Sequence, residues 1–364
     1  MSPSAGSTGV LGVRSTSGVE IPARPPGDLV EQSRGYLGSR LRSRQAQEAG
    51  TPYACGVKIA ALAGGIGAGK LLRGLARLEH DLTVIGNVGD DMKHLGLHIS
   101  PDLDSVTYWL AGVMDRERGW GRAGETFRAM EALAAIGGES WFALGDLDLA
   151  THLYRTARLA EGAPLTQVTA ELAQRFGLPC RLLPATDDPL RTWIRTRDGR
   201  DLPFQRYWVA ERAAPAVEAI RFEGAEEARP APGVLEAIAA ADAIVICPSN
   251  PVVSVMPTLA VPGVIEAIAA RRDRVAGISP IVGGAPLAGM ADKLMPAMGL
   301  EVSAAGAAEA YRGLLAAWVV DERDRDLAAK IEEREGVRTG VTDTIMTDDA
   351  AAERLARFAL ETLG

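Results

Sequence analysis

The run Val57-Lys58-Ile59-Ala60-Ala61-Leu62-Ala63, closed by Gly64-Gly65-Ile66-Gly67-Ala68-Gly69-Lys70 and followed by Leu71, Leu72, Leu75 and Leu78, decides the fold class. A short apolar stretch enters a glycine-rich turn, and the leucines beyond it recur at helical spacing. That is a strand, a tight turn and a helix. Residues 82–85 repeat the strand signal, and residues 101–114 and 125–135 read as helices, so the βαβα rhythm predicts a parallel sheet.

Outward from this segment the rhythm first loosens and then returns. Helices are expected at 150–160 and 165–176, and strand-like segments at 181–185, 190–196 and 217–222. Together, residues 116–229 read as an elaborated, largely helical insertion or cap. Helix 233–240, strand 243–247, helix 264–270 and strand 275–278 then restore the pattern, so both ends of the chain build one sheet. The expected class is α/β: a Rossmann-like, mostly parallel sheet flanked by helices. Residues 1–54 are rich in Ser, Gly, Pro and Arg without an apolar period and read as a tail, leaving residues 55–364 as a single domain.

The composition agrees with this class and excludes others. Of 364 residues, 47% are hydrophobic and only 5% aromatic, and Gly is abundant at 40, which suits many strand-to-helix turns. With 39 Lys and Arg against 47 Asp and Glu, the net charge is −8 and no basic stripe stands out, so nucleic acid is not expected as a partner. Cys55, Cys180 and Cys247 show no Cys-x-x-Cys spacing, which points to reduced thiols and a cytoplasmic setting. Neither a membrane span nor a signal peptide is legible.

Chemistry is expected at the carboxyl ends of the strands, where open α/β sheets bind their ligands. The Gly64–Gly67 turn directs backbone N–H groups and a helix N-terminus toward one point, a natural phosphate site. Its register is neither the usual dinucleotide fingerprint nor a Walker loop, because Leu71 follows Lys70. The next strand ends in Asn87-Val88-Gly89-Asp90-Asp91, placing two acids at the sheet edge. Ser100-Pro101-Asp102-Leu103-Asp104 has the form of a helix start, with Ser100 as cap, yet four acids between Asp90 and Asp104 also suit Mg²⁺. His94 and His98, four apart, would share a face if helical, but no ligand motif accompanies them; His80 and His152 stand alone and read as structural. Asp146 and Asp148 sit at a further strand-to-helix junction, where Asp148 reads equally as a cap. Loops Pro248-Ser249-Asn250-Pro251 and Ser279-Pro280-Ile281-Val282-Gly283-Gly284 complete three small-residue loops at one edge, which favours a phosphate-binding crevice.

Taken together, the Gly64-Gly65 turn, Asn87–Asp91, Ser100–Ser105, Arg118-Gly119-Trp120-Gly121, Gly145–His152, Pro248–Ser254, Leu259–Gly263 and Ser279–Gly284 resemble the 2-phospho-L-lactate transferase family of coenzyme F-420 biosynthesis, most closely its actinobacterial, phosphoenolpyruvate-using branch. The resemblance implies transfer of a phosphate-linked three-carbon acid from a guanylyl diphosphate donor to the ribityl hydroxyl of the deazaflavin FO, releasing GMP with Mg²⁺. It implies Asp90 and Asp104 as catalytic and metal-binding acids, supported by Asp91 and Asp102. Gly64, Gly65, Gly67, Lys70, Asn87, Ser249, Asn250, Ser279, Gly283 and Gly284 would bind substrate, in a homodimer. Leu147 and Ala288 stand where the family is expected to offer basic residues. The alternatives are a nucleotide-binding regulator of the related gluconeogenesis-factor group and a dinucleotide-dependent oxidoreductase.

Overall fold

Strand β1 (Lys58–Ala63) is buried on both faces beyond its first residue, as a central parallel strand must be. It pairs in parallel with β2 (Asp81–Gly86), from Lys58 opposite Asp81 to Ala63 opposite Gly86. The Gly65–Arg77 helix joins them. The computed structural model describes residues 56–364; the expected N-terminal tail and Cys55 lie outside the described residues.

After β2 the chain makes a hairpin, β3 (Met92–His94) and β4 (Leu97–Ile99), and then helices Pro101–Ala111, Arg128–Ala135, Asp146–Ala160 and Leu165–Arg175. Strand β5 (Arg181–Pro184) returns to the main sheet and pairs in parallel with β2. This corrects the reading of 116–229 as one insertion: a sheet strand lies inside it. The strand expected at 181–185 is present, but its place in the main sheet rests on pairing with β2, which a four-residue pattern cannot show. Strands β6 (Arg191–Thr196), β7 (Asp201–Pro203) and β8 (Val217–Glu223) form a separate antiparallel sheet in the order β7-β6-β8. The cap is therefore helical on one part and sheet on the other.

Strands β9 (Ala243–Ile246), β10 (Val275–Ile278), the short hairpin β11 (Ile281–Val282) and β12 (Ala285–Pro286), β13 (Ala317–Asp321) and β14 (Arg338–Thr342) follow. The main sheet has seven parallel strands in the order β14-β13-β10-β9-β1-β2-β5. Among the described residues the sheet begins at its interior strand β1, builds outward through β2 and β5, and then crosses to the other side of β1 at β9. The crevice between the carboxyl ends of β1 and β9 is thus the topological switch point, where such sheets bind ligands. Helix Asp349–Glu361 packs on the Gly65–Arg77 helix and is tied to it by Arg73 to Asp349 and Arg77 to Glu353.

Candidate active site

A cavity of about 780 Å³ opens at the switch point. Its floor is the Gly64–Gly67 turn after β1 and the Pro248–Asn250 loop after β9, and the Ser249 hydroxyl fastens one to the other by donating to the Gly64 carbonyl at 2.8 Å. The glycines are dictated by this close approach. A Cβ on Gly64 would lie 2.4 Å from Asp102 Oδ2, and one on Gly67 would lie 2.1 Å from the Pro248 carbonyl oxygen.

The acids separate into two networks. Asp90 and Asp102, each 6% exposed, face one another beside the glycine turn. Asn87 stands behind them, donating Nδ2 to Asp102 at 2.8 Å and to the Val253 carbonyl at 3.0 Å, with Asp90 at 3.5 Å. Gln205, from the cap, donates to Asp90 at 3.3 Å. The Gly65 N–H is taken by Asp102, so the first donor of that helix faces a carboxylate. Burial, then the neighbouring carboxylates of Asp102 and Asp91, hold Asp90 well above the usual carboxylate range. Burial raises Asp102 to about 7, with Asp91 adding to the shift and Asn87 opposing it.

The second network grows from helix Asp146–Ala160. Positions 148, 152 and 155 share one helical face, and Arg155, only 2% exposed, forms a forked ion pair with Asp104. Its Nη1 also meets His152 Nδ1 at 3.2 Å, and His152 Nε2 lies 3.3 Å from Asp148 Oδ1. The Tyr108 hydroxyl donates to that same oxygen at 2.6 Å. Burial pushes Asp148 up, but His152, Tyr108 and Arg155 outweigh it and hold the carboxyl below its ordinary value. Asp104, Asp148 and His152 bring ligand atoms within 4.8 Å of one another. A cation there would meet the Arg155 guanidinium that already neutralises Asp104, so this cluster suits an ion-pair network better than a metal.

The structure places the remaining predicted residues unevenly. Gly65, Lys70, Asn250 and Ser279 line the cavity. Asp91 turns away to His98 Nε2 at 2.9 Å and the Ser100 hydroxyl at 2.8 Å. Ser100 therefore occupies the cap position of its helix without capping it through its side chain. Asp148 is no cap either, since its helix begins at Asp146 after Gly145. His94 and His98 sit on the two strands of the β3–β4 hairpin, not on a helix, and His94 packs its ring on Trp141 at 5.0 Å. Gly283 and Gly284, with φ +60° and +80°, turn the β11–β12 hairpin and do not line the cavity; the Gly283 N–H is held by Asp324 at 2.9 Å. Leu147 is likewise off the cavity wall, whereas Ala288 is on it.

Sequence reading missed Tyr108, His152, Arg155, Gln205 and Ser254 as site residues. The spacing 148, 152, 155 was a usable signal for three of the buried positions. It also missed the aromatic part of the lining, where Trp120, Trp141, Phe142, Phe204 and Trp208 border the cavity, with Arg118 stacked 5.2 Å over Trp120 and Arg206 5.6 Å over Trp141.

An acid-bearing, glycine-floored crevice with an aromatic wall fits the recognition of a phosphorylated ligand and a flat one together. The profile of the family described as 2-phospho-L-lactate transferase CofD matches residues 59–357. The chain belongs to that family. It is 49% identical over 312 residues to the phosphoenolpyruvate transferase of Streptomyces griseus, covering 84% of this chain and 98% of that one. Against the phosphoenolpyruvate transferase of Streptomyces coelicolor it is 50% identical over 311 residues, covering 84% and 97%. The 2-phospho-L-lactate transferase of Methanosarcina mazei is 40% identical over 300 residues, covering 82% and 98%. This CofD-family chain thus falls in the actinobacterial branch and is a transferase of the 2-phospho-L-lactate/phosphoenolpyruvate type. Its fold is shared with a UPF0052 family member from Bacillus halodurans, at a TM-score of 0.56 and 19% identity over 84% of this chain and 99% of that one. Among the described residues no helix is long and apolar enough to cross a membrane.

Proposed function

We propose that this CofD-family transferase moves a phosphate-linked three-carbon acid from a guanylyl diphosphate donor to the terminal ribityl hydroxyl of FO, in the making of coenzyme F-420. The observation that carries the reading is that one cavity is lined both by the Gly64–Gly67 turn with its buried acids and by the aromatic side chains of Trp120, Trp141 and Trp208. The higher identity to enzymes named phosphoenolpyruvate transferase supports enolpyruvate as the acid.

The hydroxyl oxygen attacks the phosphorus bearing the acid, the bond from that phosphorus to the bridging oxygen breaks, GMP leaves with the electron pair, and the hydroxyl proton passes to water. Backbone N–H groups that follow Gly65 at the start of the Gly65–Arg77 helix face the charge that builds on the phosphoryl oxygens. The aromatic wall takes the deazaflavin ring and fixes the ribityl chain toward the acids. Mg²⁺ fits the residues present: burial above all, with the neighbouring carboxylates adding to it, raises the pKa of both Asp90 and Asp102, and among the described residues neither has a positive partner, whereas Asp104 already has Arg155. Asp90 and Asp102 would hold the ion, and when bound it supplies positive charge to the diphosphate. Asp104, fixed by Arg155, orients the acceptor side. A homodimer in a reducing cytoplasm belongs to the same reading and is checked by light scattering on the purified protein.

The test incubates the protein with FO, Mg²⁺ and guanylyl diphosphates of enolpyruvate, lactate and phosphoglycerate, and follows GMP and the mass of the FO product. The enolpyruvyl donor gives product, and Asp90→Asn or Asp104→Asn abolishes turnover while circular dichroism stays unchanged. Full activity in both variants would remove these acids from the reaction. Failure of FO fluorescence to respond to the protein at any GDP and Mg²⁺ concentration would remove FO as the acceptor.

A further inference from the structure

Two cationic side chains line the cavity, Lys70 and Arg118. Arg118 is engaged by Asp115 Oδ2 at 2.9 Å, and Arg155 behind the wall is locked onto Asp104. Among the described residues Lys70 alone of the wall cations has no carboxylate within ion-pair distance. Its ammonium lies 5.9 Å from the centroid of the Trp109 ring, a contact that limits where a flexible side chain can wander. Lys70 is the sixth residue of the Gly65–Arg77 helix, and helical side chains slant back toward the N-terminus, so its charge is carried toward the glycine turn.

The rest of the wall makes that charge consequential. Asp90, Asp102, Asp104 and Asp148 all line the same space. The diphosphate of a donor finds backbone donors at the helix start, but a carboxylate one carbon beyond the terminal phosphate ester finds none of these. Ala288, on the wall, offers it no cation, and Leu147 lies off the wall. An anion taken from water without a partner is strongly disfavoured.

We infer that Lys70 receives the carboxylate of the three-carbon acid and so sets the preference for acid-bearing donors. The inference rests on the transferase reading above and deepens it. A point-charged ammonium suits this task, because it needs no planar, two-pronged geometry from a carboxylate that sits on a short, rotating carbon unit.

The experiment measures calorimetric binding, with Mg²⁺, of three probes: GDP, its lactyl ester at the terminal phosphate, and the isopropyl ester, in which a methyl replaces the carboxylate. The wild-type protein binds the lactyl ester about 10- to 100-fold more tightly than the isopropyl ester, the range of a charge-assisted hydrogen bond. Lys70→Met binds both esters alike and keeps its GDP affinity within about twofold, while Lys70→Arg keeps part of the preference. Equal losses for GDP and the lactyl ester in Lys70→Met would place the side chain on the diphosphate and overturn the inference. A wild-type protein that binds GDP but treats the two esters alike would overturn it while leaving the transferase reading in place. Absence of binding by all three probes to the wild type would remove both. Melting curves of the variants establish that the fold is retained.

Discussion

Asp102 couples the site to pH through burial. Its carboxyl has a folded pKa of about 7 against an ordinary value of 3.8, so the folded protein holds a proton that the unfolded chain releases. Stability from this group is therefore greatest below about pH 4, falls as pH climbs toward 7, and levels off above. In metal-free buffer, Asp102→Asn removes that fall, and the melting temperature of the variant gains on the wild type between pH 4 and 7, with a constant gap beyond. A gap that stays flat across this window would mean that Asp102 titrates as an exposed acid does, and one that shrinks would mean that folding lowers its pKa. Asp104 differs because Arg155 reached it first: a buried charge with a forked partner is stable where a lone one is not. Two acids two positions apart in sequence thus have different chemistry, one held protonated by burial and the other paired with Arg155.

At the scale of elements, the Gly65–Arg77 helix does two jobs with its small residues. Gly64 and Gly67 bring its start against Asp102 and Pro248, and Gly74 brings its later turns against the C-terminal helix, where a Cβ would lie 2.2 Å from the Ala352 carbonyl oxygen. Backbone cannot yield as a side-chain tip can. Gly74→Ala gains about 1 kcal/mol in helix propensity but forces the two helices apart, and such overpacking costs about 1–3 kcal/mol. The expected result in urea denaturation is a net loss of stability with an unchanged slope. A variant more stable than wild type would show that the helices separate without cost. The strand–turn–helix unit was legible here because apolar run, glycines and leucines each point the same way. The β3–β4 hairpin was not, since three-residue strands have no period to read, and this is why His94 and His98 suggested a helix face.

Across the whole molecule, burial is graded. Strands β1, β9, β10 and β13 are buried almost throughout, whereas β8 alternates between half-buried and exposed positions and belongs to the small antiparallel sheet of the cap. Hydrogen-exchange mass spectrometry is expected to find the amides of the four central strands last to exchange and those of β6–β8 well before them. Simultaneous exchange of both sheets would show one cooperative unit with no separate opening of the cap. Gln205, Phe204 and Trp208, which line the cavity, come from that cap.

The sequence by itself determined the α/β class, the glycine-floored crevice at the strand ends and the placement of Asp90 and Asp102 beside it, because these follow from local period, turn chemistry and strand order. It also determined the family, through an ordered series of motifs. Only the tertiary structure decided which acid has a cation of its own, that β5 joins the main sheet, that Gly283 and Gly284 serve a hairpin, and that tryptophans from separate segments line one cavity. Each of these depends on contacts between residues far apart in the chain, and burial and pairing, which set charge and shape at a site, have no local signature.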